Sequence, residues 1–132
     1  MNIQRLQMLI DLLDRIPAEA FDLSLWTNGC GTVACAIGHA CLDPEFNKLG
    51  LMLRTGGMPG LWVNGVGFVA HNYNAIAQFF GISEYTAYWL FAPDQYFPRD
   101  WHDPKVVVER IKQYISKEQN KIDTIYKNLT EE

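Results

Sequence analysis

No apolar run in this chain approaches the ~18–20 residues that a membrane span requires, so a membrane-spanning role is not expected. Basic excess is also missing: 11 Lys and Arg face 15 Asp and Glu, a formal charge of -4, and no cation lies between Arg54 and Arg99. Such a balance offers little attraction to phosphate backbones or anionic lipid, which makes nucleic acid an unfavoured partner. The opening segment, MNIQRLQMLIDLLDRIP, mixes charges into its apolar positions and so does not read as a signal peptide. Paired C-x2-C knuckles are absent, and the three cysteines fall within Cys30–Cys41. An odd count without a secretory leader argues against a disulfide framework and for reduced thiols in a cytoplasmic setting.

What is present suits one globular domain over residues 1–132, with 48% apolar and 13% aromatic side chains. Ile3, Leu6, Leu9, Ile10, Leu13 and Ile16 recur at steps of three and four, the stripe of an amphipathic helix that Pro17 ends. Residues 21–26, FDLSLW, alternate and read as an extended lead-in to the Thr27-Asn28-Gly29 turn. A helix of small residues is expected from about Thr32 to Leu42, central to the fold, followed by a short one opened by Asp43-Pro44.

The stretch 50–67 holds six glycines and leaves two readings open, a small hairpin over about 51–64 or a loop. A helix is expected to resume near 68–72 and run to Phe80, with Gly81 closing it and Ser83 capping the next. Asp103-Pro104 opens a last helix over about 104–129. At about 1.5 Å per residue it is near 39 Å long, against a radius of gyration of ~14 Å for such a domain. It either packs along Ile3–Ile16 or overhangs and offers a surface for a homodimer. Glu131 and Glu132 are expected to be a solvated end. The fold class is therefore mainly α, with five to six helices, room for one hairpin and a long C-terminal helix.

Three kinds of chemistry compete for TNGCGTVACAIGHAC. If a helix starts just after Cys30, its dipole favours a thiolate, with His71 or His102 as base. CGTVACA has a superficial likeness to the nucleophile segment of papain-like cysteine peptidases, but no glutamine precedes it at a fitting distance. His39 lies too far along the same helix to activate Cys30. Cys35 and His39, four apart, share a helix face and make two ligands of a metal site that lacks clear further donors. The third reading is packing: small residues let neighbouring helices approach closely, and free Cys behaves as a small hydrophobe. Packing is the reading preferred here, and no cofactor is expected.

Residues 75–91 match a helix-turn-helix spacing, but their second helix carries no cation. Asp94, Asp100, Asp103 and His102 crowd around Trp101, where a cap and solvated turn carboxylates are expected rather than a cation site. Tyr96, Phe97 and Trp101, with Trp62 in the glycine-rich stretch, are the candidate contact residues for a protein or small-ligand partner. The alternative is that these rings cover the core.

Phe21-Asp22-Leu23, Trp26 and the block Cys30-Gly31-Thr32, Cys35, Gly38, Ala40 resemble a family of small uncharacterised bacterial and phage proteins with F-[DN]-[LM], W and C-G-T-x-x-C-x-x-G-x-A. Gly81-Ile82, Leu90-Phe91 and Arg110-Ile111 extend the resemblance to residue 112. It implies no activity. It points to a fold and to a phage or mobile-element habitat rather than to a function; the function favoured here is a non-enzymatic interaction or regulatory module over an enzyme.

Overall fold

A computed structural model describes residues 1–130, so the expectation for Glu131 and Glu132 lies outside the described residues. Among those residues there are six α-helices and a small antiparallel sheet, on which α2, α3 and α4 pack: α1 (Ile3–Leu13), α2 (Ala36–Leu42), α3 (Pro44–Lys48), β1 (Leu51–Leu53), β2 (Pro59–Val63), β3 (Gly67–His71), α4 (Asn72–Phe80), α5 (Glu84–Phe91) and α6 (Pro104–Thr130). The class is mainly α in one domain.

Helix α1 begins where the Asn2 side chain accepts the Arg5 N–H at 3.0 Å. It buries Leu6, Leu9, Ile10, Leu12 and Leu13, most of the stripe read from periodicity. Arg5 ties it to α4 through the Phe79 carbonyl at 2.9 Å and lies over the Phe79 ring.

The central helix is shorter than expected. It starts at Ala36, not near Thr32. Asn28 Oδ1 accepts the N–H groups of Thr32 and Val33, and Gly31 sits at a φ of 71°, so residues 28–33 are spent in a loop. Ala34 then pairs with Phe21 in a parallel bridge, donating to Ala20 O and accepting from Asp22 N. The extended lead-in thus has a partner strand segment where a helix turn was expected. Beyond it, α2 packs against α1, α3 and β1, and Ile37 and Ala40 are fully enclosed.

Residues 51–71 form three strands in the order β1-β2-β3: the hairpin expected over 51–64 is β1–β2, and β3 adds a third strand to it. Leu51 pairs with Leu61, and Leu61 with Ala70, with a bulge after Leu61. Asn64-Gly65 makes the second turn, where Gly65 takes a φ of 83°. The helix expected to resume near 68–72 begins at Asn72, the far end of that range, because GFVAH pairs with β2.

Gly81, at φ 66° and ψ 40°, closes α4, and the Ser83 hydroxyl accepts from Thr86 N to open α5. Asp103 caps α6 through Lys105 N and Pro104 follows it. The start of α6 packs on α1 and α5 and buries Val107, Val108 and Ile111. Past Ile115 the helix leaves the domain: Ile122 is 51% exposed and Leu129 72%. The overhang is real, and packing along Ile3–Ile16 is confined to its first turns.

Candidate functional site

Each thiol and imidazole of the cysteine segment has a distinct environment. Cys30 is exposed and five residues ahead of α2's N-cap, so the helix dipole does not act on it as expected. Its sulfur lies 3.2 Å from the Thr32 hydroxyl and 3.4 Å from Asn28 Nδ2. The Thr32 hydroxyl, with the Thr32 amide, holds its pKa below the ordinary 9.0. Neither His71 nor His102 is among its partners: His102 Nδ1 meets the Phe21 carbonyl at 3.0 Å, and His71 sits exposed at the end of β3. The structure supplies a lowered-pKa thiol without an imidazole bonded to it.

Cys35 is the N-cap of α2, its buried sulfur accepting the Gly38 N–H at 3.3 Å. Burial pushes this thiol up to about 11 and raises Cys41 as well. His39 Nε2 lies 2.6 Å from the Ala20 carbonyl, so that nitrogen carries the proton and donates. Its ring stacks on Phe21. Cys35 and His39 are thus tied to separate backbone groups. No group of three or more His, Cys, Asp or Glu is placed to hold a metal among the described residues.

The aromatic contact candidates divide in two. Tyr96 is buried, donates to the Leu90 carbonyl at 2.6 Å and is covered by the Arg110 guanidinium 3.9 Å from its ring centroid. Trp101 is half-buried and donates to the Pro93 carbonyl at 3.0 Å. Both hold the loop before α6 in place. Phe97 is 68% exposed, and Trp62 stands on the outer face of the sheet, edge-on to Phe68. In that loop Asp94 accepts from the Tyr88 hydroxyl and Asp100 lies 3.9 Å from Arg99.

Two features are not apparent in the sequence. Arg110 on α6 donates to the carbonyls of Trp89 and Gln95, both at 2.9 Å, while lying over the Trp89 and Tyr96 rings. It clamps α6 to α5 and the following loop. The R-I pair was visible as part of the resemblance, but no local spacing reveals a clamp to residues 15 and 21 positions away.

The second is an aromatic surface along α4 and α5. Trp26 packs on Tyr73, and Tyr73 edge-on to Tyr88, at centroid distances of 5.6 and 5.2 Å. Two shallow clefts meet at Tyr73. One of about 180 Å³ runs between Trp26, Phe91 and Pro93. The other, of about 540 Å³, is bounded by Asn72, Glu84, Tyr85 and Tyr88. Tyr85 and Tyr88, three apart on α5, were the available signal. Helices α4 and α5 are joined through Gly81, and the exposed residues of α5 include Glu84, Tyr85 and Tyr88 and no cation.

No family model, curated protein or solved structure matches this chain.

Proposed function

We propose that the protein is a non-enzymatic interaction module that self-associates through the overhanging arm of α6. The observation that carries this is the exposure of Ile122, Ile125, Tyr126 and Leu129 on a helix segment beyond the last buried residue, Ile111. Ile115, Ile122, Ile125 and Leu129 continue the spacing of Val108 and Ile111, an a/d seam broken once, at Glu118, and otherwise of the kind that a second helix covers. A second copy carries the same seam and therefore fits it. The phage or mobile-element origin rests on the resemblance of the cysteine block, and a cytoplasmic location on its reduced thiols.

Sedimentation of the full chain tests the arm. A concentration-dependent dimer is expected, lost in Ile122→Asp/Ile125→Asp, whose melting temperature should match the dilute, monomeric parent to within a few degrees while lacking the parent's rise with concentration. A parent chain that remains monomeric up to near-millimolar concentration would overturn the proposal.

A second reading, an enzyme with Cys30 as nucleophile, is favoured by one observation: an exposed thiol whose pKa is lowered by the Thr32 hydroxyl and amide. It requires an external base, and the thiol kinetics described in the Discussion test its first condition.

A further inference from the structure

We propose that the surface where α4 meets α5 binds an arginine-bearing segment of a partner protein. This rests on the interaction-module reading but uses a different surface from the α6 arm. Three independent properties of the two clefts that meet at Tyr73 select that chemistry.

The first is aromatic. Trp26, Tyr73, Tyr88 and the 81% exposed Tyr85 present ring faces and edges along one side of the molecule. A guanidinium stacks on such rings and is more weakly hydrated than an ammonium, so it loses less on docking.

The second is charge. Glu84 lies in the wider cleft and Asp94 is bonded by the Tyr88 hydroxyl, and neither makes an ion pair among the described residues. No Lys or Arg lines either cleft; His71 borders the wider one, and Lys117 and Lys121 line an adjoining groove between α5 and α6 that shares Tyr85 with it. The acidic groups are therefore left without an internal cation, which is the condition for attracting one from outside.

The third is an orphan acceptor. Asn72, in the wall of the wider cleft, takes a φ of 54°, and its buried Oδ1 has no hydrogen-bond partner. A buried acceptor left unpaired costs free energy until a donor reaches it. That oxygen is shielded from solvent, so the Asn72 side chain must turn outward to meet a donor; Arg, with five N–H donors in a planar fork, can then meet a carboxylate and the amide oxygen together. The same face is extended and shallow rather than enclosed, which suits a side chain on a peptide better than a free small molecule.

The test is an amide-resolved NMR titration of the full chain with a tetra-arginine peptide at low salt, with tetralysine and argininamide as comparison probes. Saturable shifts are expected at residues 71–74 and 84–88 and at the Trp26 indole. They should largely disappear at about 0.5 M salt, where the screening length is roughly 4 Å. Tetralysine is expected to bind more weakly. Glu84→Gln and Asp94→Asn should each weaken tetra-arginine by about threefold, within the range of exposed charge pairs, and Tyr85→Ala by a similar factor. Asp11→Asn, on α1, should change nothing.

Shifts scattered over all acidic residues, or indifferent to Glu84→Gln and Asp94→Asn, would overturn the proposal. So would argininamide binding as tightly as the peptide, which would make this a small-cation site. A chain that dimerises through α6 but ignores tetra-arginine refutes this inference alone. One that binds the peptide but stays monomeric refutes only the role of the arm.

Discussion

Replacing Gly38 by Ala should destabilise the protein, against the ordinary trend for a helix interior. Ala is favoured over Gly there by about 1 kcal/mol, so propensity alone predicts a gain. The structure reverses the sign. A Cβ at Gly38 would stand 1.6 Å from the Trp26 carbonyl oxygen and 2.8 Å from the Ala34 Cβ. An ordinary C···O contact is about 3.3 Å, so α2 or the Trp26 backbone must move by roughly 1.7 Å. Neither is free to do so. Cys35 N donates to the Leu25 carbonyl at 2.8 Å, and Ile37 and Ala40 are enclosed on either side. Overpacking of a well-filled core costs about 1–3 kcal/mol and sometimes more, and a backbone obstacle belongs at the upper end. The net loss should be about 2 kcal/mol or more, a fall in melting temperature of roughly 8 °C in a domain of this size. Thermal and urea unfolding of Gly38→Ala beside Gly29→Ala provide the assay. Nothing lies within 4 Å of a Cβ at Gly29, so that variant should stay within about 0.5 kcal/mol of the parent. A Gly38→Ala protein that melts at or above the parent temperature would refute the close-approach account of the motif glycine.

Arg110→Ala removes two charge-assisted hydrogen bonds and the cover over Tyr96, and should cost about 2–4 kcal/mol by urea unfolding. Arg110→Lys should recover only part, since an ammonium cannot reproduce the fork. Mild alkylation at near-neutral pH should label Cys30 alone, leaving Cys35 and Cys41 until the chain is denatured; labelling no faster than a free thiol would remove the enzyme reading. Stability should decline in alkaline solution. Cys35 is raised from 9.0 to about 11 and Tyr73 from 10.0 to about 12, both by burial. The folded protein therefore holds these protons more tightly than the unfolded chain. The contribution is complete below about pH 9 and is lost as pH rises through 11 to 12. Urea midpoints measured against pH should show that fall, and Cys35→Ala should make it shallower between pH 9 and 11; a flat profile would contradict it.

The helices that carry a sustained period were legible. Leu6, Leu9, Ile10 and Leu13 on α1 and Val108 and Ile111 on α6 are buried as their spacing required. The caps Asp43, Gly81, Ser83 and Asp103 also sit at the ends they marked, because capping is a local bond between near neighbours. Short segments were less legible. The five residues of β3 are too few for a period of two to stand apart from a helix turn, and their partner strand decided the matter. Thr32 to Cys35 look helical by composition, yet Asn28 Oδ1 holds the Thr32 and Val33 amides in a loop, and Ala20 O and Asp22 N hold Ala34 in a bridge. Among the candidate residues, local pattern left Tyr96 and Trp101 open between a contact surface and cover for the core, and packing against Arg110 and the Pro93 carbonyl decided for the core.

The cysteine segment separates the two levels most clearly. Its sequence alone determined that Gly38, Ala36 and Ala40 would allow close packing, because small side chains leave room whatever comes near. Only the tertiary structure decided what fills that room, the Trp26 carbonyl, and that Cys30 would lie outside the helix while Cys35 caps it. The physical reason is distance along the chain. Propensity, capping and side-chain size act within a few residues, while the Phe21–Ala34 bridge, the Arg110 clamp and the aromatic face of α4 and α5 join segments that meet only after folding.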